Sequence, residues 1–143
     1  MLPVYKPHKD REARIASALT AIEALLPLNL YPAHKKELLS TCLWKISEAD
    51  GKDKVRYWSS GAINAEKAAK LHHEHVVERR ELIQRLLSGE PIGDVIEDVT
   101  ACMVTPEEHK VLGSSTESGW NRYRECSIGV YDSMENRWII EAD

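Results

Sequence analysis

The sequence predicts an α+β fold: an N-terminal helical hairpin followed by a C-terminal part of short strands and several helices. Three observations carry this. Ile15, Ala18, Leu19, Ile22, Leu25 and Leu26 recur at helical spacing, and so do Leu38, Leu39, Cys42, Leu43 and Ile46. Beyond residue 100, short apolar runs alternate with turn residues, as strands do. The chain has 143 residues, 43% hydrophobic and 29% charged, which suits one domain spanning 1–143 with a core that needs no disulfide or structural metal.

Each element has a local reason. Pro3 and Pro7 predict an extended arm. Asp10 is placed to cap a first helix running to about Leu26, and Pro27 and Pro32 bracket the connection. The second helix runs from about Ala33 to Glu48 and stops at Asp50-Gly51, so residues 10–50 form an antiparallel hairpin. Lys52 to Ser60 is basic and aromatic, extended or looped, and a short helix is expected over Asn64 to Lys70. Leu71 to Val77 (LHHEHVV) suits either a strand or a helix end. Arg79 to Leu87 reads as a helix stopped by Ser88-Gly89, with a further turn or two over Pro91 to Val99. Thr100 to Val104 has strand character. Thr105-Pro106-Glu107-Glu108 then combines a cap, a proline at the first position and two first-turn acids, which predicts a helix to about Leu112. A turn of helix over Trp120 to Cys126 and a hairpin of Ser127–Tyr131 with Arg137–Ile140 complete the chain.

Net charge is −4, which argues mildly against nonspecific nucleic-acid coating. The charge is unevenly placed. Residues 1–70 carry 12 Lys and Arg against 8 Asp and Glu, and residues 71–143 carry 7 against 15. The three cysteines (Cys42, Cys102 and Cys126) are widely spaced, without a Cys-x-x-Cys pair, which predicts a reduced, cytoplasmic protein and no zinc ribbon. No stretch approaches the ~20 apolar residues of a membrane span, and the first ten residues do not read as a signal peptide. No membrane partner is expected.

The most unusual cluster is His72-His73-Glu74-His75. Imidazoles and a carboxylate side by side can bind a divalent metal or move a proton near neutral pH. On a strand, His73 and His75 share one face and His72 and Glu74 the other; on a helix, His72 and His75 lie together. A solvated, histidine-rich helix end accounts for the tract equally well. The second cluster is Thr105 to His109, with His109 on the first turn of its helix; an ordinary exposed helix face is the simpler account of that histidine alone.

Glu74-His75-Val76-Val77 followed by Ala101 to His109 (ACMVTPEEH) resembles the HNH, or ββα-metal, nuclease superfamily. The resemblance implies a strand hairpin and helix spanning 52–112, interrupted by a helical insertion, with 113–143 as a C-terminal hairpin extension. It implies hydrolysis of phosphodiester bonds in DNA or RNA with one divalent ion (Mg, Mn or Zn). His75 would be the general base, and Glu74 and His109 would hold the metal, with His73 as a further candidate ligand. Glu108 would orient His109. Where the family often has proline after the hydrophobic pair, this chain has Glu78, and about 20 residues stand in place of the hairpin loop.

Lys52, Lys54 and Arg56, interleaved with Tyr57 and Trp58, are the candidate phosphate contacts, with Arg122 in a smaller second patch beside Tyr123. A loop whose rings plug the core explains the first stretch as well. The competing function is a non-catalytic protein-binding module, an acidic helical partner in a microbial or phage defence or counter-defence system. Its candidate surface is the acidic run Glu90 to Asp98.

Overall fold

The computed structural model describes residues 1–66 and 69–142. The fold is α+β, with seven helices and one five-stranded mixed sheet among the described residues. The hairpin helices are α1 (Arg11–Leu25) and α2 (Pro32–Ser47). Next come β1 (Tyr57–Ser59), α3 (Ser60–Asn64) and β2 (His72–His75). Helices α4 (Arg79–Leu87) and α5 (Ile92–Glu97) separate β2 from β3 (Ala101–Val104). The chain ends with α6 (Pro106–Gly113), α7 (Trp120–Glu125), β4 (Val130–Asp132) and β5 (Arg137–Ile140).

The strands lie in the order β2-β3-β1-β4-β5. Strand β1 is parallel to β3, and every other pair is antiparallel. The C-terminal hairpin is therefore joined to β2 and β3 through β1. In β2–β3 the register places Glu74 opposite Cys102 and His75 opposite Ala101.

The apolar stripes of α1 and α2 meet those of α4 and α5 in one core, with Ile22, Leu39, Leu43, Leu82 and Val95 fully buried. Each such aliphatic side chain contributes roughly 1.5–3 kcal/mol by leaving water. A second core gathers Cys102, Val104, Leu112, Tyr123 and Val130. Alternation along β3 sends Cys102 and Val104 into it, while Ala101 and Met103 pack with Val55 and Ala62 in a third cluster.

Some expectations need correction. The short helix forms four residues earlier than expected, over Ser60–Asn64, because the Ser59 hydroxyl accepts from the Ala62 amide at 2.9 Å and caps it. Residues 67 and 68 of the expected helix over 64–70 lie outside the described residues. Asp10 makes no side-chain cap on α1; the Asp10 amide instead donates to His8 Nδ1. Within Leu71 to Val77, His72–His75 resolve as a strand, since their backbone pairs with β3. No described helix is long and apolar enough to cross a membrane.

Candidate active site

The site grows from the end of β2 and the start of α6. The α6 boundary is built locally. The Glu108 amide donates to the Thr105 hydroxyl at 3.1 Å, and the Thr105 amide donates to Glu108 Oε1 at 2.9 Å. This reciprocal cap, with Pro106 at the first position, fixes where the helix begins and so where His109, on its first turn, stands. Across the β2–β3 pair, His109 Nδ1 donates to Glu74 Oε2, a contact between residues 35 positions apart. The ring of His72 stacks on that of His109, centroids 4.5 Å apart and planes 14° from parallel. Stacked imidazoles do not share a plane, so His72 props His109 rather than converging on the same point.

Glu74 is buried, and its second oxygen, Oε1, accepts from Arg122 Nη1 at 3.3 Å. His75, the next residue, faces the other side of the sheet, as strand alternation requires. It packs against Trp44 of α2 at 5.3 Å and against His73 at 5.5 Å between ring centroids. His75 is 6% exposed and its Nε2 has no hydrogen-bond partner. Burial, reinforced by His73 and the Arg79 guanidinium, pushes its pKa down to about 3, so the imidazole is neutral. His73 shares a hydrogen bond with the Ser47 hydroxyl at 3.0 Å, and burial lowers its pKa as well.

Both faces of the β2 end open onto one cleft of about 270 Å³, lined by Trp44, His73, Glu74, His75, Arg79 and His109 among others. The Arg79 guanidinium lies 4.8 Å from the Trp44 ring centre and donates to the Ser40 hydroxyl at 2.9 Å. Arg80 also lines the cleft; it pairs with Glu78 at 3.4 Å, and its side chain is 87% exposed. Sequence reasoning missed this arginine pair. Its signal was an Arg-Arg dipeptide opening a helix four residues after His75.

Glu74 and His109 are brought into contact, while His75 lines the same cleft from the other face of the sheet; several other expected residues are not placed as expected. His73 points to Trp44 and Ser47, on the opposite face from Glu74 and His109, so it does not join them as a ligand. Glu108 does not hydrogen-bond to the His109 ring: its carboxylate closes the α6 cap, which places His109 only through the helix start, and also accepts from the Ser59 hydroxyl and the Gly61 amide. Arg56 is no free phosphate contact, because it forms two hydrogen bonds to Asp132, at 2.8 and 2.7 Å. Its neighbouring rings are structural: Tyr57 packs edge-on against Trp120, and Trp58 Nε1 donates to the Val55 carbonyl. Arg122 is 1% exposed and cannot form a surface patch. Lys52 and Lys54 are exposed, and Lys52 lines a groove between α1 and α2 instead of the cleft. In the acidic run, Arg85 binds Glu90 at 2.5 Å and Asp98 at 2.7 Å, which leaves Asp94 and Glu97 exposed and, among the described residues, unpaired.

Among the described residues, no group of three or more His, Cys, Asp or Glu is placed to hold a metal ion. The donor set is the pair Glu74 and His109 at the cleft wall. Comparison with family models, curated proteins and solved structures gives no significant match to this chain.

Proposed function

We propose that this chain is a metal-dependent, HNH-like nuclease that hydrolyses phosphodiester bonds of DNA or RNA. One observation carries the reading: Glu74 from β2 and His109 from α6 meet atom to atom, at the mouth of a cleft that also holds His75. The donor chemistry suits a divalent ion such as Mg, Mn or Zn. Glu74 Oε2 and His109 Nδ1 would hold the ion, which would have to displace the proton they now share. When bound, the ion would stabilise charge on the phosphate and the leaving oxygen.

The remaining work falls to the chain's own side chains. His75 would accept the proton of the attacking water only if substrate binding opens its buried, unpartnered Nε2 to the cleft and relieves the burial that lowers its basicity. Arg79 and Arg80, which also line the cleft, would neutralise phosphates of the bound strand. Trp44 holds His73, His75 and Arg79 in one packed wall.

The test is cleavage of plasmid, single-stranded DNA and RNA with Mg2+, Mn2+ or Zn2+. Cutting should require metal, and His75→Ala should reduce it by ~10²–10⁴-fold, the span of general-base catalysis. Absence of metal-dependent cutting on every substrate rejects the nuclease reading.

A further inference from the structure

We propose that the start of α4 is a phosphate site that works without a metal. The inference goes beyond the nuclease reading, since it needs neither an ion nor cleavage.

Helix α4 begins at Arg79, with Glu78 as its N-cap and no side-chain cap. The Glu81 and Leu82 amides donate to the Glu78 carbonyl at 3.0 and 3.1 Å. Among the described residues, the Arg79 and Arg80 amides have no acceptor. Free first-turn amides at the positive end of a helix dipole suit a phosphate group. Glu78, Arg79 and Arg80 all line the cleft, so the helix start forms part of its wall.

A second observation is independent of the helix. His75, from the end of β2, lines the same cleft, is 6% exposed, and has no partner at Nε2. Buried polar atoms are almost always paired, so an unpaired one at a cleft wall marks a place that a ligand atom completes. At about 270 Å³ the cleft is smaller than pockets that take whole small molecules, and it suits a single charged group.

The side chains supply the charge. Arg79 and Arg80 line the cleft with Glu74 and Glu78, and Arg122, beside both acids, tips the balance positive. Arg79 is held in place by the Ser40 hydroxyl and the Trp44 ring. Arg80 is paired with Glu78 Oε2 at 3.4 Å, a long contact between exposed groups. Such a pair is weak, whereas a phosphate offers a guanidinium shorter, charge-assisted bonds. Glu78 is therefore the internal competitor that an incoming phosphate displaces from Arg80.

The experiment is an amide NMR titration of the full chain in EDTA with inorganic phosphate, repeated with tetrathymidylate. Either probe should move the Arg79 and Arg80 amides most, and the tighter of the two identifies the source as a free phosphate or that of a strand. Arg80→Gln should weaken binding by ~10-fold, the low end for a hydrogen bond to a charged group. Glu78→Gln should tighten it by about 5-fold, the effect of one like charge a few ångströms away in water. Absent shifts, or shifts largest elsewhere, overturn the inference. So does an Arg80→Gln that binds like wild type, or a Glu78→Gln that binds no tighter. If a variant does not fold, the wild-type titration decides. A chain that binds phosphate here and cuts nothing keeps this inference and loses the nuclease reading; a chain that cuts with metal but shows no such shifts does the reverse.

Discussion

Glu74→Ala removes the carboxylate that faces the Arg122 guanidinium, so the variant reports how strongly a buried ion pair is held inside this fold. Arg122 is 1% exposed and Glu74 9%, so neither charge is solvated by bulk water. Removing one partner of a buried pair typically costs 3–5 kcal/mol, because the other charge stays behind unpaired. Here Arg122 keeps the His75 and Val76 carbonyls and has Glu78 at 3.7 Å, so the loss falls near the lower end, about 3 kcal/mol. At roughly 2–4 °C per kcal/mol for a chain of this size, Tm should drop by about 10 °C. Glu74→Gln, which keeps an oxygen acceptor for Nη1, should lose less. The assay is urea unfolding without metal, with ΔG taken from the midpoint at constant slope. A loss below about 1 kcal/mol for Glu74→Ala would refute the reasoning, since it would mean that the pair is solvated or that Arg122 finds other partners at no cost.

Two further outcomes follow from contacts outside the cleft. Arg56 holds the Asp132 carboxyl below its ordinary 3.8, chiefly through its hydrogen bonds and against the opposing effect of burial. A carboxyl depressed in the folded state stabilises above its unfolded value and loses that contribution as pH falls through the folded one. Urea midpoints should therefore decline below pH 3.8 in wild type, and Asp132→Asn should show a shallower decline in that window with lower stability near pH 7; parallel profiles would discount the pair. At Gly61 an added Cβ would stand 2.6 Å from Glu108 Oε2, the carboxylate that caps α6. Gly61→Ala should cost about 1–2 kcal/mol by displacing that cap and should weaken divalent-metal binding through His109, both readable by unfolding and calorimetry.

How much was legible in the sequence depends on how local each cause is. The start of α6 could be read from Thr105 to Glu108, because a cap needs only four neighbouring residues, and the same signal placed His109 on the first turn. The stripes of α1 and α2 were legible for the same reason: 3.6-residue periodicity records which face is buried. Leu71 to Val77 was ambiguous, since a four-residue strand has no internal hydrogen bonds. It became a strand only through pairing with Ala101–Val104, and that pairing split the histidine tract, with His73 and His75 toward Trp44 and Glu74 toward His109.

Sequence by itself determined the α+β class, the helical hairpin, and the capped helix that carries His109 on its first turn. The tertiary structure alone decided which charges were free. Arg56 and Arg122 look like surface cations in a string of residues, yet the sheet brings Asp132 to one and Glu74 to the other across 76 and 48 positions. Glu108, read as a partner for His109, is drawn instead to Ser59 and Gly61 because β1 lies beside β3 at the centre of the sheet. A side chain's partner in a folded chain is set by strand order and register, which are long-range properties, whereas its tendency to cap or to face a core is set by its immediate neighbours.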